Sequence, residues 1–242
     1  MGRLLSGALA LLIALGGASP AFPQTPATGG GGGGSANIAY APLWGTAYAG
    51  GAWARPLLST LSWLNQSSST AVELPTTGSA AGPIAITNPG GAGFNWYVLG
   101  KTPGTAPWTV SALVSFQTAN GSSRYGLCAG SSANGNMTSI GLQSGGFKID
   151  QWTGINVGTP SYSGEPIGAT TLQFPVQTIW LQFHNDGTNL SELYSYDGIN
   201  YTSMGTQTLA SFQLAVNNVG PCADGYSGQV VVDLWALVFA SS

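Results

Sequence analysis

Charge is what this sequence has least of. Asp, Glu, Lys and Arg make up 5% of its residues, where ordinary soluble domains carry roughly 25%. The five basic residues stand singly along the chain, so no basic patch exists to neutralise phosphates, and nucleic-acid binding is not expected. A net charge of −3 is too small to steer a charged partner. Histidine occurs once, at His184, and cysteine only at Cys128 and Cys222. One His, two distant Cys and scattered carboxylates make no ligand set for zinc or calcium, so neither a metal nor another cofactor is expected. No segment sustains a helical periodicity, and no serine sits in a G-x-S-x-G elbow. The glycine run at 29–34 and the segment Gly158–Pro166 lead into no G-K-[ST] and no helix, so neither is a phosphate loop.

The acids are equally sparse: Glu73, Asp150, Glu165, Asp186, Glu192, Asp197, Asp224 and Asp233. Carboxylate glycosidases need two closely placed acids, one to protonate the leaving oxygen and one to attack or to position water. No E-x-D-x-x-E spacing supplies them. Asp186 and Asp197 each precede glycine and belong to turns. Asp150 and Glu192 remain as a pair that a sheet would have to bring face to face. The chain is therefore read as a non-enzyme.

What is present is ordered along the chain. Arg3, the apolar run Leu4–Leu15 and the small residues Ser19-Pro20-Ala21 have the pattern of a secretory signal over residues 1–21. The alternative is an apolar helix that stays in place. A bilayer span takes about 20 apolar residues, so no membrane span is expected once the signal is removed. Residues 22–36, with Pro23, Pro26 and six consecutive glycines, read as a flexible linker. Residues 37–59 form an aromatic, glycine-rich arm or cap carrying Tyr40, Trp44, Tyr48 and Trp53. It either docks on a neighbouring subunit or packs along its own domain. Residues 60–242 have the size of one β-sandwich domain.

Within that domain, short strand-like runs recur between Gly, Asn and Ser turns, from Thr60–Asn65 to Gln229–Phe239, and include Thr171–Phe174 and Gln213–Asn218. This is the pattern of an all-β antiparallel β-sandwich. Ile179–Met204 is the clearest stretch. Ile179, Leu181 and Phe183 alternate with Trp180, Gln182 and His184, as in a strand with one buried face. Asp186-Gly187 and Asp197-Gly198 supply two hairpin signals, so a three-stranded meander is expected. The last run, Gln229–Phe239, is apolar on both sides and is expected at the centre of a sheet. Asp233 inside it requires a partner.

The order Trp180-Leu181, strand, Asp-Gly, strand, Ser195-Tyr196-Asp197-Gly198-Ile199-Asn200-Tyr201 resembles concanavalin A-like (laminin G-like) jelly-roll modules. In these the segment commonly reads S-x-D-G-x-x-W, so Tyr201 stands in place of the usual Trp. Leu61–Phe116 resembles the opening of similar domains in phage tail and virion proteins. The resemblance implies a jelly-roll fold. Such modules host lectins, glycanases, polysaccharide-binding domains and structural spacers, so it implies no single activity.

Sugars are held by aromatic faces with amides and carboxylates on their hydroxyls. Trp152 and Tyr162 beside a long loop, and Trp180, His184, Asn189, Tyr196 and Asn200 around the hairpins, are the candidate ligand-side residues. The competing reading of each aromatic is a place in the core. Cys128 and Cys222, in an exported chain, are expected to form a disulfide, the alternative being two buried free thiols on separate strands. The reading is a secreted, periplasmic or cell-surface module, or a virion decoration protein, that binds a glycan or cell-surface polysaccharide without cleaving it. Its further expected partners are copies of itself or a virion. The alternatives are a self-associating structural sandwich and a secreted glycoside hydrolase.

Overall fold

The computed structural model describes residues 57–74, 83–91, 93–118, 123–143, 146–155, 160–170, 178–212, 215–226 and 228–241. The expected signal and linker, and the arm except Leu57–Ser59, lie outside the described residues. All described residues belong to the unit Ser35–Ser242. They form two seven-stranded antiparallel sheets packed as a sandwich. The first sheet runs β1 (Ser62–Asn65), β4 (Trp96–Gly100), β13 (Asn218–Asp224), β6 (Arg124–Gly130), β7 (Met137–Gln143), β8 (Gly146–Thr153) and β9 (Ser161–Thr170). The second runs β12 (Thr202–Thr208), β11 (Asn189–Ser195), β10 (Thr178–Asn185), β5 (Trp108–Thr118), β14 (Val230–Ser241), β3 (Ile84–Asn88) and β2 (Thr70–Glu73). Among the described residues no helix is long and apolar enough to cross a membrane.

The core follows from alternation. On β5, Trp108, Val110, Ala112, Val114 and Phe116 point between the sheets, and on β10 Ile179, Leu181 and Phe183 do the same. On the first sheet Tyr97, Leu99, Leu127, Ala129, Ile140, Phe147, Val219 and Ala223 face them. Each fully buried aliphatic or aromatic side chain contributes about 1.5–3 kcal/mol, so this double layer carries the fold. The expected meander is β10–β11–β12, and β14 lies between β5 and β3 as its two apolar sides require. Asp233, on the side of β14 away from the core, accepts a hydrogen bond from Ser115 Oγ at 3.5 Å.

Two strands differ from the sequence reading, and glycine and proline explain both. β9 contains Gly164 and Pro166 and reads as a loop, but it is the last strand of its sheet, where proline is tolerated. β13 contains Gly220-Pro221 and yet lies between β4 and β6. Gly220 is needed there because a Cβ would overlap the Leu99 carbonyl. Pro221 falls between the Lys101–Val219 bridge and the Cys222–Asp224 ladder with β4, a gap where its missing N–H breaks no bond to that strand. Of the expected strand Gln213–Asn218, residues 213 and 214 lie outside the described residues, and of the rest only Asn218 belongs to a strand; Thr171–Phe174 also lies outside the described residues.

Candidate functional site

The seven candidate residues do not converge. Trp152 and Tyr162 pair across β8 and β9 on the first sheet. The other five belong to the second sheet and separate to its two ends. At one end His184 Nδ1 lies 2.9 Å from Thr109 Oγ1, and Asn189 Nδ2 donates to Asp186 Oδ2 at 3.1 Å. Asp186 also accepts from the backbone N–H groups of Asn189 and Thr188, both at 2.7 Å. These bonds, that of the Asn189 N–H foremost, hold its carboxyl at about 2. At the other end Asp197 accepts from the backbone N–H groups of Asn200 and Ile199 at 2.8 Å and from Asn200 Nδ2 at 2.7 Å, and these hold its carboxyl well below the usual range. Asn189 and Asn200 are thus turn-builders, each closing on its own aspartate. Trp180 is fully buried, with Gly198 folded onto its indole, and offers no face to a ligand. Tyr196 is exposed.

A denser constellation lies on the face of the first sheet turned away from the core. Its strands place Trp96 and Val98 (β4), Cys222 and Asp224 (β13), Arg124 and Cys128 (β6), Met137 (β7), Asp150 and Trp152 (β8) on that side by alternation. β4 and β8 are four positions apart in the sheet, roughly 19 Å at the usual strand spacing. The Trp96 and Trp152 rings are nevertheless only 5.3 Å apart between centroids. The sheet therefore curls and makes this face concave. Glycine permits the curl: Gly126 and Gly141 pair directly across β6 and β7, and a Cβ at Gly126 would overlap the Ile140 carbonyl. The concavity is filled by the chain itself. Trp96, Val98, Met137, Trp152, Ile155 and a Cys128–Cys222 disulfide between β6 and β13 are all buried.

Arg124 lies within this apolar filling. Its Nε is 3.3 Å from Asp150 Oδ2 and its Nη1 is 3.6 Å from Asp224 Oδ2. Its guanidinium carbon lies 5.0 Å from the Trp152 centroid and 5.4 Å from that of Phe94, so one cation bridges two carboxylates and two rings. Asp224 organises the adjoining loops, accepting on Oδ1 from the backbone N–H groups of Asn95 at 2.7 Å and Tyr226 at 3.0 Å. Burial pushes its carboxyl above the ordinary value, against those bonds and the Arg124 charge. Asn88 ties the same loops: Nδ2 donates to the Asn95 carbonyl at 2.5 Å, and Oδ1 accepts from the Gly90 N–H at 2.8 Å. The result is to present Phe94 and Tyr226. Tyr226 is held at φ 42°, a left-handed conformation that a bulky residue adopts at some energetic expense and that often marks a functional position.

A row of rings crosses the rim. Tyr162 meets Trp152 at 5.3 Å, Trp152 meets Phe94 at 4.7 Å, and Phe94 meets Tyr226 at 5.5 Å between centroids. Tyr162, Phe94 and Tyr226 are 42%, 37% and 37% exposed, and Trp152 beneath them is fully buried. Of the two expected residues here, Tyr162 presents its ring to solvent and Trp152 supports it from within. Sequence reasoning missed Phe94, Trp96, Arg124, Asp224 and Tyr226. The available signals were Gly93-Phe94-Asn95 and a third Asp-Gly, Asp224-Gly225, directly before Tyr226. Aromatics among turn residues are presented by loops.

Asp150 and Glu192 do not face each other, which removes the carboxylate pair considered above. Asp150 lies on the concave face, whereas Glu192 on β11 points between the sheets and is fully buried. There its Oε1 accepts from Gln207 Nε2 at 2.5 Å. Gln207 also donates to Thr138 Oγ1 at 2.7 Å and accepts from Gln151 Nε2 at 2.5 Å. Burial pushes the Glu192 carboxyl up to about 8. Among the described residues no group of three or more His, Cys, Asp and Glu is placed to hold a metal.

No protein-family model matches the chain, and no curated protein matches it in sequence. Among solved structures it is similar to a functionally unknown protein from Saccharomyces cerevisiae, at 15% identity over 76% of this chain and 98% of that one, with a TM-score of 0.55. It is also similar to the carbohydrate-binding module CBM66 from Bacillus subtilis, at 12% identity over 75% of this chain and 96% of that one, with a TM-score of 0.45. A third is a GH43 glycoside hydrolase engineered to display endo-xylanase and exo-arabinofuranosidase activity, at 14% identity over 78% of this chain and a TM-score of 0.49. The match spans 39% of that enzyme. At 15% identity the likeness to the yeast protein concerns the fold alone.

Proposed function

We propose that the chain is a non-catalytic glycan-binding or surface-attachment module of the concanavalin A-like jelly-roll type, exported from the cell, and that it binds through the rim of the concave face. The observation that carries this reading is the row Tyr162–Trp152–Phe94–Tyr226, with three partly exposed rings over a rigid buried floor. Aromatic rings supply the apolar faces that sugar C–H surfaces pack against, and the disulfide, the Arg124 clamp and the Asn88 and Asp224 bonds hold those rings in place before any ligand arrives. A hydrolase reading has one feature in its favour, since Asp150 and Asp224 meet at one cation beside the rings. Both are buried, and Asp224 is engaged with two backbone N–H groups, which suits a structural role better than proton transfer to a substrate.

The test is a glycan array probed with the intact chain and with Tyr162→Ala. Binding that drops about tenfold in the variant, with no release of reducing sugar from the bound glycan, supports the proposal. Binding unaffected by the variant would remove the rim from the argument. Turnover abolished by Asp150→Asn would replace it with the enzyme reading.

A further inference from the structure

The rim carries information about what kind of glycan it fits, and this inference rests on the glycan-binding reading above. We propose that the rim recognises the flank of an extended, uncharged polysaccharide, contacting consecutive sugars along its internal stretch, and not a chain end or an acidic glycan.

Shape favours the flank of a chain over its end. Enclosing a terminal sugar needs a pocket, and the place where the curled sheet would form one is occupied by Trp96, Trp152, Met137, Ile155 and the disulfide. Among the described residues, what faces a ligand there is the outer surface of rings that follow one another at 5.3, 4.7 and 5.5 Å. Such a row offers a track along which a chain lies, with exposed rings at both ends and one between. A monosaccharide would leave at least one of them uncovered.

Charge favours a neutral glycan. An acidic sugar requires a cation with unused hydrogen-bonding and charge. The cation at the rings, Arg124, already faces Asp150 and Asp224 and is mostly buried. Lys148, also on β8, adds one positive charge to a face that already holds two carboxylates. Neutral sugars need only the rings and neighbouring polar groups.

The experiment is native electrophoresis of the full chain through gels containing arabinoxylan, mixed-linkage β-glucan, galactomannan or levan, and through gels containing polygalacturonate or alginate, at low and high salt. Calorimetry then follows with a size ladder of oligosaccharides cut from the polymer that retards the protein, each tested with free and with chemically blocked ends. The expected result is retardation by a neutral polymer, insensitive to salt. Affinity should climb at least about tenfold from the disaccharide to the plateau of the ladder, with no effect of blocking the ends. Tyr162→Ala and Tyr226→Ala, whose near-ultraviolet circular dichroism reports their folding, should each lower that plateau and move it to shorter oligosaccharides.

Three outcomes would overturn this inference while leaving the glycan reading intact. They are a monosaccharide bound as tightly as the polymer, binding lost when ends are blocked, and salt-sensitive retardation by the acidic polymers alone. Retardation by none of the polymers would remove the glycan reading, and this inference with it.

Discussion

Arg124–Asp150–Asp224 and Glu192–Gln207–Gln151–Thr138 are two polar clusters buried in the same sandwich, and they solve the same problem differently. The first lies on the concave face and matches two carboxylates with a guanidinium, two rings and two backbone N–H groups. The second lies between the sheets and meets its glutamate with no cation, only with the Gln207 amide, itself bonded to Gln151 and Thr138, and a backbone hydrogen bond from Glu192 itself. An amide can donate a hydrogen bond but cannot compensate a charge, so the glutamate keeps its proton up to about pH 8. A chain with so few cations invests one of them under the rim, where rings must be held rigid. It leaves the interior cluster neutral.

The largest effect expected from breaking this contrast comes from Arg124→Ala. It removes the guanidinium that the buried Asp150 and Asp224 share, and chemical denaturation should show a loss of about 3–5 kcal/mol. Next comes removal of the Cys128–Cys222 bond by a double Ser substitution. The two cysteines are 94 residues apart, and opening so long a loop should cost up to about 4.7 kcal/mol in the chain-entropy model. The same bond lies among the side chains that fill the concave face, so the double variant should also weaken glycan binding, read by the same gel retardation.

Glu192→Gln tests the second cluster. The unfolded chain loses this proton near the ordinary glutamate value of 4.5, and the folded chain near 8. Between those values the unfolded state binds fewer protons, so the contribution of Glu192 to stability falls as pH rises and levels off above about 8. Glu192→Gln should match the parent below pH 4.5 and exceed it by a few kcal/mol above pH 8, measured as unfolding free energy against pH. Parallel curves for the two proteins would show that Glu192 does not titrate as stated. The smallest effect is expected at the rim itself. Tyr226→Gly relieves the left-handed backbone but adds glycine's entropy, so stability should change by less than about 1 kcal/mol while binding falls.

Legibility in the sequence followed the range of the interactions. Val110–Phe116, Ile179–Phe183 and the two Asp-Gly turns announce strands and a meander because alternation and turn chemistry act within a few residues. The same local logic failed at β13, where Gly220-Pro221 reads as a turn and is a strand only because Leu99 and Leu127 flank it from distant parts of the chain. At the site, Tyr162 and Trp152 were visible as aromatics beside turn residues. Phe94 and Tyr226 carried the same signal but are 132 residues apart in sequence, and nothing local connects them. Asn189, Asn200 and Trp180 were drawn in by residue type. Their roles are set by the turn or packing they complete.

The sequence by itself determined a β-sandwich, because the period of its apolar residues and the placing of its turns leave the backbone few other ways to satisfy its hydrogen bonds while burying those side chains. Only the tertiary structure decided which aromatics are floor and which are rim, which carboxylates share a cation, and which one is left to amides. Those outcomes depend on the curl of a seven-stranded sheet. Curvature is a property of strands packed side by side, and no single strand records it.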